Sequence, residues 1–259
     1  MSQLAKSVLV EWYKVKKSAI AWVTIIAFAL GPVMGGLIMF MFGHTDQALE
    51  GSVLMAKAKM MSFEVNWTSY LSLLSQVVGV GGVLVFGFIA SWIFGREYSD
   101  KTVNDLLSLP TSRSTILNAK FILYVFWCLI LVIINFILGI FVGKIVGLGA
   151  LQMTENSAVT YLITTFLVIL LGTPISFFAL WGQGYLAPLG FVTLTLVFSQ
   201  IIGAIGYGHY FPWALPGLYS GSAGVYKEAI DGWSYFILAS VTITGFALSH
   251  FWWNRADQH

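Results

Sequence analysis

Three kinds of residue in this chain, glycine-lysine, histidine and serine, could do chemistry, and none stands in the spacing its chemistry needs. A phosphate-cradling loop sets a glycine four residues before Gly-Lys-Ser/Thr, so that backbone N–H groups and the lysine surround the phosphates. The chain's one Gly-Lys pair is Gly143-Lys144; Leu138 stands where the leading glycine belongs, and Ile145 follows the lysine. The histidines His44, His209, His250 and His259 show no HExxH or comparable spacing, which a zinc site would require. Ser220 and Ser222, in LYSGSAG, do not complete a GxSxG elbow because Leu218 and Tyr219 precede them. Cys128 is the only cysteine, which excludes a disulfide framework and a thiolate metal site. The expectation is a chain with no catalytic residue, no metal ligands and no cofactor of its own.

What the chain does concentrate is charge. Of its 13 basic and 11 acidic residues, seven (Arg96, Glu97, Asp100, Lys101, Asp105, Arg113 and Lys120) fall within residues 95–120, GREYSDKTVNDLLSLPTSRSTILNAK. Residues 99–109 place Val103, Leu106, Leu107 and Leu109 among charges and hydroxyls, which predicts a short helix with an apolar contact edge. Pro110 lacks a backbone donor and disfavours helix in the residue before it, so that helix ends there. Thr111 or Ser112 then caps a second helix, whose buried face starts at Ile116 and Leu117. Glu97 and Arg113 are placed to pair across the turn. A charged helix held between two apolar runs reads as a surface that another protein grips.

Those apolar runs set the fold class. With 58% hydrophobic and 9% charged residues, the chain cannot coat a soluble globule with polar side chains. Six runs lack Asp, Glu, Lys and Arg, at about 18–43, 69–94, 121–143, 158–181, 186–207 and 233–253. Each matches the ~20 residues that a helix needs to cross ~30 Å of hydrocarbon. The expected fold is an all-α membrane protein, a single transmembrane domain over residues 1–259 with six transmembrane helices. Nine basic residues (Lys6, Lys14, Lys16, Lys17, Arg96, Lys101, Arg113, Lys120 and Arg255) share the side of the termini and the charged segment, against four (Lys57, Lys59, Lys144 and Lys227) opposite. This bias predicts cytoplasmic termini and a cytoplasmic charged segment. The first run is too long for a signal-peptide core and lacks a small-residue cleavage site, so it is expected to stay as an anchor. Nothing in the charge distribution suggests a nucleic-acid partner.

Three further segments have a pattern. Residues 1–17 put Leu4, Val8, Trp12 and Val15 at helical spacing, with lysines able to snorkel to headgroups, as an interfacial helix does. Residues 44–68 repeat apolar positions Leu49, Val53, Ala56, Met60 and Phe63 between charges, predicting an amphipathic helix on the outer surface. Residues 206–232 mix Gly, Pro and aromatics too irregularly for a span, and such backbone is tolerated at membrane depth only where protein or a wet cavity satisfies it. Short re-entrant helices on the outer side are expected there. Small residues at four-residue steps, Gly31 with Gly35, Gly87 with Ser91 and Gly95, and Gly139 with Gly143 and Gly147, allow close helix approach within the chain or across a dimer. No carboxylate lies inside any of the six runs; the buried polar candidates for a cargo path are Gln76, Asn135 and Gln200, residues that in membranes also serve as interhelical glue.

The order Glu97, Lys101-Thr102, Leu106-Leu107, Pro110, Ser112-Arg113 and Lys120 resembles the coupling segment of type-2 ABC exporter permeases, which runs E, GT, LL, P, SR and K. Lys101 departs from that pattern, where glycine is frequent. Length and the lack of a fused ATPase are similar to permeases of bacitracin- and lantibiotic-type self-protection exporters. The resemblance implies an interfacial N-terminal helix, a cytoplasmic coupling helix after the second span and re-entrant helices before the sixth. It implies ATPase-coupling roles for Glu97, Asp100, Lys101, Thr102, Leu106, Leu107, Pro110 and Arg113. Implied partners are two cytoplasmic ABC ATPase subunits that hold ATP and Mg, a second permease copy or paralogue, membrane lipid, and an amphiphilic cargo (peptide antibiotic, drug or lipid) expelled from a bacterial cell. The alternative is a non-transporting membrane scaffold in the same membrane that docks a cytoplasmic partner.

Overall fold

The computed structural model describes residues 2–43, 64–108, 110–151, 153–222 and 230–255, and the described residues are helical with short connections. Helix α1 is Gln3–Lys16, capped by the Ser2 hydroxyl, and it leads into α2, Ile20–Gly43. After residues 44–63, α3 runs Trp67–Ser99. A short α4, Val103–Leu107, precedes α5, Arg113–Ile145. Helix α6 spans Glu155–Trp181, α7 is Leu186–Ala204, α8 is Leu215–Ser220, and α9 is Gly232–Arg255. Six of these, α2, α3, α5, α6, α7 and α9, are long and apolar enough to cross a membrane, so the six-span expectation holds. The amphipathic helix expected over 44–68 falls largely outside the described residues.

Helix ends agree with local chemistry. Asn66 caps α3 by accepting from the Ser69 N–H (2.9 Å), Ser112 caps α5 through the Thr115 N–H (3.2 Å), and Thr154 caps α6 through the Ser157 N–H (3.3 Å). Each side-chain oxygen satisfies an N–H that the first helical turn leaves unpaired. Of the two caps the sequence allowed for α5, Ser112 is used.

Packing draws on the small residues. A Cβ on Gly139 would lie 2.5 Å from Leu74, and one on Gly143 would lie 2.5 Å from Trp67. The glycine face of α5 is therefore filled by α3 within the same chain. Inside a bilayer such close van der Waals contact, rather than water exclusion, holds helices together. Helices α3, α6 and α9 pack side by side, with α2 and α1 against α5.

Two prolines interrupt spans, and polar side chains repair both sites. Pro32 has no N–H to give to Phe28 four residues earlier; the Asn135 amide donates to that Phe28 carbonyl instead (2.9 Å), and Tyr70 donates to the Pro32 carbonyl (3.0 Å). Pro174 likewise leaves the Leu170 carbonyl to the Thr173 hydroxyl (3.0 Å), where α6 breaks at Leu171. A third irregularity is a π turn, Val77–Gly81, within α3.

Candidate functional site

The charged segment begins where α3 ends. The Thr102 N–H returns to the Glu97 carbonyl (2.8 Å) and the Lys101 N–H to the Tyr98 carbonyl (3.1 Å), a Schellman arrangement that needs a left-handed residue after the helix. Lys101 is that residue, with φ at 57°. Its place in the pattern, where the resemblance has glycine, is explained: only glycine takes this conformation without a Cβ penalty.

Helix α4 follows, one and a half turns long, with Val103 buried and Leu106 and Leu107 half-buried against the core. Its other edge, Asn104, Asp105 and Ser108, is exposed, as is Pro110. The apolar edge thus faces the protein's own bundle. The Pro110 carbonyl accepts from the Gln3 side chain (2.8 Å), so α1 holds the turn from one side. A cleft of about 270 Å³ between α1 and the turn is lined by residues including Gln3, Lys6, Leu106, Pro110 and Ile116. From the other side, the end of α9 ties the start of α5: the Trp253 indole donates to the Arg113 carbonyl (2.8 Å) and Ser114 to the Asn254 side chain (3.2 Å).

Beneath α4 lies a buried ion cluster. The Lys120 ammonium sits 2.8 Å from both Glu97 oxygens, 3.3 Å from Glu11 and 2.9 Å from the Ile93 carbonyl. Lys14 bridges the same carboxylates, 2.9 Å from Glu97 and in contact with Glu11. Lys120 is 1% exposed and Glu11 and Glu97 are 5% exposed. Two acids and two ammonium groups balance, which is what allows such burial, because an unpaired charge there would cost several kcal/mol, roughly. The cluster fastens α1, α3 and α5 together.

One expectation is corrected here. Glu97 does not turn across the loop to Arg113; its carboxylate points inward to Lys120 and Lys14, while the Arg113 guanidinium reaches the Asn254 carbonyl (3.5 Å). The charge-free run 69–94 stays free of carboxylates, and Glu97 lies where α3 continues past it to Ser99. Glu11 went unnoticed in the sequence. Its signal was a lone acid on the lysine-bearing face of a short helix, three residues before Lys14. Asp100 makes a surface pair with Arg96 (3.1 Å), and Lys101 and Thr102 are exposed.

The three cargo-path candidates are not gathered. Asn135 is fully engaged in the interior, donating to Phe28 and accepting from the Tyr161 hydroxyl (3.1 Å). Gln76 donates to Ser72 (3.3 Å). Gln200 lines a cavity of about 160 Å³ at the end of the bundle opposite α4, with Gly79, Ser199, Trp213, Gly217 and Ser222 among the other walls. The irregular segment after α7 makes the floor: 3-10 turns Gly208–Tyr210 and Pro212–Ala214 lead into α8, and residues 212–218 are buried. It packs on the π turn so closely that a Cβ on Gly79 would lie 2.6 Å from the Pro216 carbonyl oxygen. The Trp213 indole N–H is buried with no acceptor among the described residues.

Comparison with known proteins gives the chain a family. The sequence model of the ABC-2 family transporter proteins matches residues 7–201, a stretch that includes the ion cluster and α4. The bacitracin transport permease protein BCRB of Bacillus licheniformis is 26% identical over 181 residues, 69% of this chain and 86% of that protein.

Proposed function

The chain belongs to the ABC-2 transporter family, and we propose that it is the permease subunit of a bacterial exporter whose ATP is hydrolysed by a separate chain. Two copies, or this chain and a paralogue, pair above two ATPases carrying ATP and Mg. The termini and α4 face the cytoplasm, in line with the excess of Lys and Arg on that side. Helix α1 lies along the interface, and the described residues 206–222 re-enter from the outer leaflet.

The observation that carries this reading is the mounting of α4. Its exposed polar edge, Asn104, Asp105 and Ser108, is presented to a partner, while Val103, Leu106 and Leu107 brace it from behind. Gln3 and the ion cluster join that brace to α1, α3 and α5. A push on α4 is therefore delivered to two spans and the N-terminal helix together. Glu97 belongs to this brace, Asp100, Lys101 and Thr102 shape the turn, and Pro110 and Arg113 set the step into α5.

The cargo is an amphiphile, in keeping with the bacitracin named for the relative; a peptide antibiotic fits best, ahead of a drug or lipid. Gln200 and the cavity around Trp213 offer uncharged hydrogen-bonding groups at the exit end. The test is ATP hydrolysis by the permease and its ATPase in vesicles. Cargo should stimulate it, and replacing Leu106 and Leu107 by Asp should abolish co-purification of the ATPase, with Asp105→Arg weakening it while the permease stays folded. A scaffold would show no cargo stimulation.

A further inference from the structure

The end of α1 and the end of α3 bound an open cleft that the ion cluster does not use. Val10, Tyr13, Lys14, Lys17, Ser18 and Arg96 line about 480 Å³, with no carboxylate among the lining residues. Lys14 is committed to Glu11 and Glu97 at the back wall. That leaves Lys17 and Arg96. Lys17 closes α1 through its backbone N–H to the Tyr13 carbonyl (3.2 Å), and its side chain is exposed and forms no ion pair among the described residues.

Arg96 is held firmly at one edge and unsatisfied at the other. Its Nε lies 3.1 Å from Asp100, and its guanidinium stacks 4.8 Å from the centre of the Trp92 ring. Its Nη1 is buried with no acceptor among the described residues. A guanidinium nitrogen in that position is costly to leave unpaired, and its planar fork suits a phosphate.

The surroundings select the kind of phosphate. Leu9, Val10 and Tyr13 on α1 and Trp22 on α2 are large and exposed, Trp22 at 69%. In a membrane-spanning chain, these are the surfaces that meet acyl chains, with the cations able to reach headgroup level. An anion that satisfies Lys17 and Arg96 while covering that apolar rim must itself be amphiphilic.

We propose that this cleft binds the phosphate of an anionic phospholipid from the leaflet on the α4 side, its acyl chains lying along Tyr13 and Trp22. The lipid joins α1 to α3 across the face that the ion cluster leaves open. This rests on the chain's place in a bilayer and not on export or cargo, so it stands or falls separately from the reading above.

Native mass spectrometry of the intact permease released from detergent tests it, with phosphatidylglycerol and phosphatidylcholine added at equal concentration. One phosphatidylglycerol should be retained in preference, by roughly fivefold for each cation engaged. Lys17→Gln should reduce the preference and Lys17→Gln with Arg96→Gln should remove it, while Lys16→Gln, on the same helix but outside the cleft, leaves it unchanged. Excess inorganic phosphate should not displace the lipid. Equal retention of the two lipids, a preference that survives the double substitution, an equal loss with Lys16→Gln, or displacement by inorganic phosphate would each overturn the proposal. Retained melting of Lys17→Gln keeps the result readable if Arg96→Gln fails to fold.

Discussion

The two ends of this bundle handle buried polarity in opposite ways. At the α4 end, Glu11, Lys14, Glu97 and Lys120 put four charges within a few ångströms and satisfy them against each other. At the other end, the cavity around Gln200 has no charge in its walls, and Trp213 keeps an unused donor. Balanced charge resists rearrangement, because separating any partner strands an ion in low dielectric. An uncharged wall strands no ion when its partners change, and the unpaired Trp213 N–H gains by meeting an acceptor. On the proposed reading, the balanced end suits a unit that moves together, and the uncharged end suits a surface that meets cargo.

The largest expected effect breaks the first end. Lys120→Met leaves Glu97 and Glu11 with Lys14 alone and should cost about 3–5 kcal/mol, read as lost thermal stability of the purified permease. Adding Glu11→Gln, which leaves one carboxylate (Glu97) with one ammonium group (Lys14), should recover much of it, because the damage comes from stranded charge. If Lys120→Met melts like wild type, the cluster is not the fastener described.

Next in size is Lys101→Gly. Relief of the left-handed backbone at φ 57° should stabilise by about 1 kcal/mol, less the extra freedom glycine brings to the unfolded chain. A lower melting temperature would mean that the Lys101 side chain contributes more than its backbone costs.

Trp213→Phe sharpens the other half of the comparison. It removes the unpaired N–H together with the fused five-membered ring, leaving a single ring beside Phe191 (5.3 Å between ring centres in the wild type); the small void offsets the relief of the unpaired donor, so stability should fall by no more than about 1 kcal/mol. Cargo stimulation of ATP hydrolysis should nevertheless fall. A large loss of stability with unchanged stimulation would make Trp213 a packing residue only.

The smallest effect lies at the start of α9. The Ser234 backbone N–H and hydroxyl both donate to Asp231 (3.0 and 2.9 Å), which holds its carboxyl below the usual range. A depressed carboxylate stabilises above its unfolded pKa of about 3.9 and loses that contribution as pH falls through the lower folded value. Melting curves between pH 5 and 3, taken as roughly the window around that value, should therefore decline more in wild type than in Asp231→Asn. Equal declines would show that this cap carries no pH dependence.

Much of the fold was legible because the bilayer imposes a simple condition. The charge-free runs matched all six spans, and the runs 69–94 and 121–143 lengthen to Trp67–Ser99 and Arg113–Ile145. Pro110 and Ser112 marked the turn because their effects are local. What stayed hidden depends on distant partners. Glu11 meets Lys120 across 109 positions, and no periodicity encodes that contact. Asn135 could be read as glue, but its reason, the Phe28 carbonyl freed by Pro32, needed the packing of α2 on α5. The inward face of Leu106 and Leu107 was equally invisible, since an apolar edge does not say whether it covers a partner or its own bundle.

The most direct test of the central claim, that α4 is the contact for a separate ATPase, is cysteine cross-linking in a Cys128→Ser background. Asn104→Cys on the exposed edge of α4 and Tyr207→Cys at the opposite end, 62% exposed, would each be treated with a short bifunctional reagent in membranes that contain the partner ATPase. The account predicts an adduct with the P-loop chain from position 104 and none from position 207. No adduct at 104, or equal adducts at both, would contradict it.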